Sequence, residues 1–164
     1  MRDISVIIVT WNSAGEIANC VKSVIQALDG LAAELIIIDN NSVDDSFALI
    51  NKINFPKLTT VQNPGNLGYT KAVNQGIELS KSKYVLLLNP DTILKEESIR
   101  VMKDFLDGNP AYGACAPLML NPDGTRQFSV RNFPTYWRMF CEFSLLAYIF
   151  PKSKLFGSWK AKYM

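Results

Sequence analysis

Three short clusters of polar residues interrupt apolar stretches of this sequence: Thr10-Trp11-Asn12, Asp39-Asn40-Asn41 and Asn89-Pro90-Asp91. Carboxylates and amides of this kind can bind a divalent cation, accept hydrogen bonds from a ribose or a base, and contact phosphate groups. The sequence contains no histidine, which excludes Ser-His and Cys-His nucleophiles and histidine-ligated metal sites. Any catalysis by this chain must therefore use carboxylates, amides, hydroxyls or a hard metal ion.

The apolar runs before these clusters predict buried parallel strands. Residues 4–10, 34–38 and 84–88 are almost wholly apolar, the pattern of strands that are covered on both faces, and residues 58–62 predict a weaker strand. Segments with helical spacing separate the strands, at 17–28, 43–50, 69–79 and 99–108. This alternation predicts an α/β fold, a Rossmann-like, mostly parallel sheet with helices on both faces. The three polar clusters should then meet at one sheet edge.

Local signals predict two further features. Ser13 and Glu16 have the spacing of a capping box at the start of the first helix. Beyond residue 110, residues 112–120 and 125–130 predict two strands joined by a tight turn at 121–124. An aromatic-rich stretch with irregular helical periodicity, 136–150, then follows. The apolar run within it, 139–150, is interrupted by Glu142 and is shorter than the ~20 apolar residues that span a bilayer, so it predicts no transmembrane helix.

Composition narrows the class of protein. A chain of 164 residues with 48% hydrophobic residues fits one compact globular domain. A formal charge of only +2 argues against a nucleic-acid partner. Cys20, Cys115 and Cys141 are widely separated in apolar surroundings, as expected of core residues in a reducing compartment. The first strand begins without a preceding secretory leader, and we expect a cytoplasmic location.

Each acidic candidate also has a plain structural explanation. Asp91 can hold a cation, or its tetrapeptide can simply be a turn that caps the next helix. Asp39 can accept hydrogen bonds from a nucleoside, or it can form an Asx turn with Ser42. Asp44 and Asp45 are better explained as charges at a helix start, where the dipole favours them. The residues alone leave both explanations open for Asp39 and Asp91.

The neutral and basic candidates are less specific. A loop rich in amides and glycines could approach a nucleotide closely, although its residues are equally well explained as a turn. The loop contains Asn63, Asn66, Gly68 and Tyr69. Trp11 either stacks on a ring or covers the sheet edge. Arg126 and Arg131 can neutralise phosphate, but they are better explained as solvated surface residues.

Four segments, taken in order and spacing, resemble the family 2 glycosyltransferases, especially the rhamnosyltransferase-like members: SVIIVTWN, IIIDNNSVDDS, NPGNLGYTKAVNQGI and YVLLLNPDT. The resemblance covers about residues 4–130. It implies a GT-A fold that binds a nucleoside-diphosphate sugar, UDP- or dTDP-linked, with Mg²⁺ or Mn²⁺ at the diphosphate. It also implies inverting transfer of the sugar to a glycan or lipid-linked acceptor.

The resemblance assigns roles by position. The donor site that we predict from it also includes Trp11 and Gly68 as neighbours of the matched residues. The whole set is Thr10, Trp11, Asn12, Asp39, Asn66, Gly68, Lys71, Asn89 and Asp91. Thr10, Asn12 and Asp39 match nucleoside-contacting residues, while the loop residues lie near the base. Asp91 matches the last acid of the family's Asp-x-Asp motif and is the expected metal ligand. Asn89 stands where the first acid would be, which leaves a single carboxylate for the metal.

The resemblance also implies a carboxylate base in a Glu-Asp or Asp-Asp motif downstream of residue 124. After Asp123 the sequence contains one acid, Glu142, in a different context. We therefore expect a donor-binding core at 1–130 and an aromatic-rich helical segment at 131–164 that begins a truncated acceptor-side region. Such a chain would bind donor without turnover, self-associate through exposed aromatics of 136–150, and lie peripherally at the inner face of the membrane.

Three alternatives share parts of this pattern. A receiver domain needs an acidic pair at the end of the first strand, where this chain has Trp11-Asn12. A nucleotidyltransferase would place a glycine-rich loop with lysine and arginine after that strand, unlike residues 12–15. A non-catalytic nucleotide-sugar-binding domain fits the sequence as well as a truncated enzyme does, and this alternative stays open.

Overall fold

The computed structural model of the chain describes residues 2–127, 129, 131–157 and 159. These residues form one four-stranded sheet in which every strand pair is parallel, composed of β1 (Arg2–Thr10), β2 (Ala33–Asp39), β3 (Leu58–Gln62) and β4 (Ser82–Leu88). The strand order is β3-β2-β1-β4. The predicted α/β architecture with a parallel sheet is confirmed.

Helices pack on both faces of the sheet, as predicted. They are α1 (Ile17–Ala27), α2 (Ser46–Ile50), α3 (Tyr69–Leu79) and α4 (Ser98–Gly108). One buried cluster joins α1, α2 and α4 to Val6 and Ile8 of β1. A second cluster joins α3 to Ile7 and Val9 on the opposite face. The alternating side chains of β1 are therefore buried on both sides, which is why its sequence is apolar throughout.

At the edge of the sheet where the strands begin, a buried carboxylate links β1, β2 and the residue before β4. Glu34 of β2 is 3% exposed and accepts hydrogen bonds from Ser5 Oγ of β1 (2.6 Å) and from the Lys81 backbone N–H (3.0 Å). Arg2 forms an ion pair with the same carboxylate. A buried charge of this kind is tolerated because its oxygens are hydrogen-bonded and its charge is balanced.

The predicted capping box at the start of α1 is wrong. The helix begins at Ile17, and no side chain caps its first turn. Ser13 contributes its backbone carbonyl, which accepts hydrogen bonds from the Glu16 and Ile17 N–H groups. Its hydroxyl donates instead to the Trp11 carbonyl (3.3 Å), and its N–H is bound by a side chain from beyond β2. Tertiary partners have replaced the local cap.

The predicted strand at 112–120 is also wrong, while the partner strand predicted at 125–130 lies partly outside the described residues. Within the described residues the two segments share a single antiparallel bridge, between Leu120 and Arg126. The turn itself forms: Gly124 N–H donates to the Asn121 carbonyl (2.9 Å), with Gly124 at φ 82°. Pro117 lacks an N–H for a ladder, which is unfavourable for a paired strand. Two residues of the second predicted strand, Phe128 and Val130, lie outside the described residues.

The chain divides after Cys115 into two compact units, residues 1–115 and 116–164. The second unit contains the helices α5 (Tyr136–Phe143) and α6 (Leu146–Ile149), which confirms the helical expectation for 136–150. They are separated by Leu145, whose φ of 65° ends α5. No helix among the described residues is long and apolar enough to cross a bilayer. The predicted boundary at residue 130 stays a prediction.

A close contact between α3 and β1 gives a test of this packing. A Cβ on Gly76 would lie 2.5 Å from Ile7 Cγ2, and Ile7 is buried and cannot retreat. We expect Gly76→Ala to lower the free energy of unfolding by about 1–3 kcal/mol, in spite of the better helix propensity of alanine. Urea denaturation would measure this change.

Gly108, the last residue of α4, is the matched control because a Cβ there meets nothing within 4 Å. Gly108→Ala should leave stability unchanged or raise it slightly. Equal effects of the two substitutions would contradict the packing of α3 against Ile7.

Candidate functional site

The three polar clusters lie at the same edge of the sheet, as expected. In the strand register Thr10 pairs with Asp39, and Asp39 pairs with Gln62. Leu88, the last residue of β4, pairs with Ile8, so Asn89 follows at the same edge. The connections from β1 to β2 and β3 move one way across the sheet, and the connection to β4 returns past β1. The carboxyl ends of β1 and β4 therefore flank a topological switch point, where open α/β sheets bind ligands.

The loops that follow β1 and β2 are joined by hydrogen bonds. Asn12 N–H donates to Ser42 Oγ (2.9 Å), and Val43 N–H donates to Asn12 Oδ1 (2.9 Å). Asn12 adopts a φ of 51°, in the left-handed region that asparagine tolerates better than most residues. The Asn12 side chain is thus occupied in holding the loop, although the residue remains exposed.

Asp44 and Ser46 complete this connection. Asp44 accepts hydrogen bonds from the N–H groups of Ala14 (3.0 Å) and Ser46 (3.0 Å), and Ser13 N–H donates to Ser46 Oγ (2.7 Å). Hydrogen bonding, chiefly from Ser46, lowers the pKa of Asp44 below its usual value. From the sequence, Asp44 was recognisable only as an acidic residue near a helix start, and this role could not be predicted.

Asp39 forms the Asx turn that was the plain alternative for it. It is 1% exposed, and it accepts hydrogen bonds from Ser42 Oγ (2.5 Å) and from Ser42 N–H (3.0 Å). Gln62 Nε2 donates to the same carboxylate at 3.4 Å. A carboxylate has about four acceptor positions, so this turn and a ligand contact are chemically compatible. The nucleoside-binding role of Asp39 stays a prediction.

Thr10, beside Asp39 in the register, carries an unused hydrogen-bonding group. The residue is fully buried, and its Oγ1 has no hydrogen-bond partner within the described part of the chain. Buried hydroxyls nearly always have a partner. Trp11, the next residue, is 54% exposed at the same strand end. The first strand therefore ends in a buried unsatisfied hydroxyl followed by an exposed ring.

The loop between β3 and α3 is held by three amide side chains. Asn63 and Gln75 exchange two hydrogen bonds, with Nδ2 donating to Gln75 Oε1 (2.9 Å) and Nε2 donating to Asn63 Oδ1 (3.0 Å). Asn63 also donates to Asn40 Oδ1 (3.0 Å), which accepts the Leu67 N–H at 3.4 Å. Sequence reasoning left Asn63 as turn chemistry and missed Asn40 and Gln75.

This amide network supports the exposed loop that contains three predicted donor-site residues. Asn66 Oδ1 accepts the Gly68 N–H (2.9 Å), and Gly68 has a φ of 80° that favours glycine. Lys71 lies in the first turn of α3, and all three residues are exposed. Arg126 and Arg131 belong to the second unit and are exposed.

The segment that contains Asp91 is fastened to α1 at both ends. Thr92 N–H closes a turn on the Asn89 carbonyl (3.2 Å), and the Cys20 thiol donates to the same carbonyl (3.6 Å). Leu94 N–H donates to Ser23 Oγ (3.0 Å). The turn was the plain alternative for this tetrapeptide, and it presents Asp91 as an exposed carboxylate between two anchors.

The Cys20 thiol is suited to its role as a donor. Burial is the main cause of a rise in its pKa to about 11; a hydrogen bond from the Thr92 backbone opposes this rise, and the nearby negative charge of Asp91 contributes to it. The thiol therefore keeps its proton at any physiological pH. Helical periodicity identified Cys20 as a core residue, but it could not show which loop the side chain contacts.

Asp91 could hold a metal ion only with help from other oxygens. The described residues contain no group of three or more acidic, cysteine or histidine side chains that could bind a cation. Mg²⁺ and similar ions often use one or two carboxylates together with substrate phosphates and waters. A single exposed carboxylate fits this second mode, in which the diphosphate brings much of the coordination sphere.

Comparison with known proteins identifies the family. The family model for glycosyl transferase family 2 matches residues 5–161. The chain belongs to glycosyltransferase family 2. Membership confirms the resemblance read from the four segments, while the rhamnosyltransferase-like branch stays a prediction.

Curated family 2 relatives are similar over most of this chain. The poly(ribitol-phosphate) beta-N-acetylglucosaminyltransferase TarP of Staphylococcus aureus is 31% identical over 112 residues, which are 64% of this chain and 33% of TarP. The low-salt glycan biosynthesis hexosyltransferase Agl10 of Haloferax volcanii is 30% identical over 128 residues, 76% of this chain and 39% of Agl10. The chain spans about a third of the length of such relatives.

Solved structures share the fold. TarS of S. aureus in complex with UDP-GlcNAc superposes with a TM-score of 0.61 at 24% identity, over 66% of this chain and 32% of that one. The mannosyltransferase PcManGT of Pyrobaculum calidifontis, in complex with GDP-Man and Mn²⁺, gives a TM-score of 0.58 at 18% identity, over 65% and 34%. The predicted GT-A fold is confirmed.

The anchoring of the Asp91 segment can be tested at Ser23, which is 6% exposed. Ser23→Ala removes the acceptor of the Leu94 N–H, and we expect it to lower the free energy of unfolding by about 1–3 kcal/mol. Hydrogen exchange of the Leu94 amide should accelerate, as NMR can measure. Ser23→Thr, which keeps the hydroxyl, should retain the protection.

Asn19→Ala, an exposed substitution on the same helix, is the control and should change neither quantity. If the Leu94 amide exchanges equally slowly in Ser23→Ala, the anchor does not exist.

Proposed function

We propose that this chain is the donor-binding portion of an inverting glycosyltransferase that takes a UDP- or dTDP-sugar and transfers the sugar to a glycan or lipid-linked acceptor. The observation that carries the proposal is the convergence of Thr10, Asp39 and the anchored Asp91 segment at the switch point between β1 and β4. Ligands of open α/β sheets bind in this position.

In this proposal, different residues contact different parts of the donor. The ends of β1 and β2 bind the nucleoside, where the hydroxyl of Thr10, the ring of Trp11 and the carboxylate of Asp39 offer a donor, a stacking surface and acceptors. The exposed loop that contains Asn66, Gly68 and Lys71 closes over the base.

Asn89 and Asp91 face the diphosphate in this proposal. Asp91 would hold Mg²⁺ or Mn²⁺ together with phosphate oxygens, and the ion would stabilise the charge of the leaving diphosphate. Asn89 offers an amide in place of a second acid, so it can donate to or accept from a phosphate-bound water without adding negative charge. The turn held by Cys20 and Ser23 keeps the carboxylate in place before the donor arrives.

Relatives that share the fold support this choice of ligand. The solved structures of TarS include complexes with UDP and UDP-GlcNAc, and that of PcManGT contains GDP-Man and Mn²⁺. Curated relatives include TarP and a poly-beta-1,6-N-acetyl-D-glucosamine synthase, whose names connect them with poly(ribitol-phosphate) and with poly-N-acetyl-D-glucosamine. A role in polysaccharide or cell-wall biosynthesis, on the inner face of the membrane, follows by analogy.

Turnover requires a group that removes the proton from the acceptor hydroxyl. The acids after Asp123 are limited to Glu142 in this sequence, and Glu142 lies in α5 of the second unit. We therefore propose that this chain binds donor without transferring the sugar. The same observation favours the second candidate, a non-catalytic nucleotide-sugar-binding domain, which shares the donor site.

Titration with UDP and with dTDP, each with and without Mn²⁺, tests the donor site by calorimetry. Asp91→Asn keeps the shape of the side chain but removes its charge. It should weaken UDP binding in Mn²⁺ by about tenfold or more, the loss that even indirect metal-orienting groups cause. Binding without metal should change little, because the nucleoside contacts lie on β1 and β2.

Glu96→Gln is the matched control, since Glu96 is an exposed acid five residues along the same connection to α4. It should behave as the unchanged chain does. The donor-site proposal is wrong if neither nucleotide binds under any condition, and the metal role of Asp91 is wrong if Asp91→Asn and Glu96→Gln bind alike.

A further inference from the structure

The charge of this chain is divided very unevenly along its length. Residues 131–164, here called the basic segment, contain six basic residues and one acid, Glu142. Residues 1–130 contain eleven basic residues against fourteen acids. The small net charge of the whole protein therefore hides a strongly basic segment behind a mildly acidic remainder. The basic residues of the segment are Arg131, Arg138, Lys152, Lys154, Lys160 and Lys162.

The described part of the basic segment also exposes large apolar side chains. On α5, Tyr136, Phe140 and Phe143 follow helical spacing and are 99%, 55% and 80% exposed. Cys141, on the other side of the helix, is fully buried. Beyond α5 the exposure continues at Tyr148 (85%) and in neighbouring aliphatic residues. Contiguous apolar exposure on this scale marks an interaction surface.

These side chains are held on a defined scaffold. Trp137 Nε1–H donates to the Leu155 carbonyl (3.1 Å), which ties α5 to the chain that follows α6. The Trp137 ring stacks on Phe140, with ring centroids 5.7 Å apart, and Phe150 contacts Phe156 at 5.6 Å. Thr135 caps α5 by accepting the Arg138 N–H at 3.3 Å. The exposed side chains of α5 thus project from a folded helix, which is held by the contacts described above.

We propose that the described part of the basic segment, residues 131–157 and 159, is a docking surface for an anionic lipid bilayer. Tyr136 and Tyr148, whose aromatic rings have a polar tip, and the apolar ring of Phe143 enter the headgroup region. The exposed Lys152 and Lys154 contact lipid phosphates beside them. The combination of basic residues with bulky aromatic and aliphatic side chains on a short helix is the pattern of an interfacial anchor.

Charge and side-chain chemistry favour a bilayer over the other occupants of such a surface. Self-association through 136–150, which the sequence led us to expect, would bring two positively charged segments together, which is unfavourable. A nucleic acid would use the aromatic rings for stacking, but it has no use for exposed aliphatic side chains such as Leu145, Ile149 and Leu155, which are 57–62% exposed. An anionic bilayer complements both the charge and the apolar surface.

This surface would hold the chain where a lipid-linked acceptor lies, and it does not depend on the donor site. The test is co-sedimentation of the full chain with vesicles of phosphatidylcholine alone and with vesicles of equal parts phosphatidylcholine and phosphatidylglycerol. We expect binding to the anionic vesicles, at most weak binding to the neutral ones, and loss of binding as the salt concentration rises.

Paired variants separate the two contributions. Tyr136→Ser with Phe143→Ser should lower the partition coefficient about tenfold or more, because the apolar anchors are lost. Lys152→Gln with Lys154→Gln should lower it roughly twenty-five-fold, about fivefold for each basic residue near the surface. The matched controls lie in the first unit: Ile77→Ser with Val101→Ser, which are also exposed, and Lys52→Gln with Lys57→Gln. Both controls should bind vesicles as the unchanged chain does.

All variants alter exposed side chains, and thermal unfolding verifies that each still folds. The proposal is overturned if anionic vesicles do not bind the chain, or if the controls and the segment variants lose binding equally. It is also overturned if sedimentation analysis shows self-association through the segment without vesicle binding, or if single-stranded RNA binds and vesicles do not. UDP titration of the segment variants should be unchanged, so a failed donor site and a failed membrane surface are distinguishable.

Discussion

The structure depends on the parallel pairing of β1 with a neighbour on each side, β2 on one and β4 on the other. This arrangement buries residues 4–10 of β1, and the chain reverses its direction across the sheet between β3 and β4. The reversal leaves a crevice beyond the carboxyl ends of β1 and β4 that helices do not fill. Because these strands can end only in loops at that edge, the polar residues that follow them are brought together by the same pairing that forms the core.

Hydrogen bonds between residues that are distant in the sequence hold the loops at this edge in a defined arrangement. The loop after β1 is held by Ser42, Asp44 and Ser46 from beyond β2. The loop before α3 is held by the side chains of Asn40, Asn63 and Gln75. The segment that contains Asp91 is held by α1. The loops that contain Asn12, Asn66 and Asp91 are thus held by residues from other parts of the chain, and such support keeps a binding site preorganised.

The sequence was sufficient for features that depend on hydrophobic periodicity and insufficient for those that depend on distant partners. The bounds of β3 and α3 agree with the sequence prediction, and β1, β2 and β4 differ by one or two residues at their ends. The Ser13 capping box was wrong because the Ser13 N–H finds Ser46, thirty-three residues away. Cys20, Ser23 and Gln75 were missed for the same reason, since no local pattern reveals a partner supplied by tertiary structure. The strand predicted at 112–120 was wrong because a strand-like sequence forms a strand only when a partner strand pairs with it. Pro117 has no N–H to donate to such a partner, which makes pairing less favourable.

The central claim is that a nucleoside diphosphate binds between the ends of β1 and β4, and paramagnetic broadening tests it most directly. In NMR spectra of the ¹⁵N-labelled chain with UDP and substoichiometric Mn²⁺, the ion broadens amides near its site. We expect broadening of the amides around Asp91 and of residues 10–12. We expect no broadening around the open cavity at the opposite end of the sheet, which is lined by residues including Leu28, Phe55 and Lys57. Broadening centred on that cavity, or spread evenly over exposed acids such as Glu96 and Asp104, would contradict it.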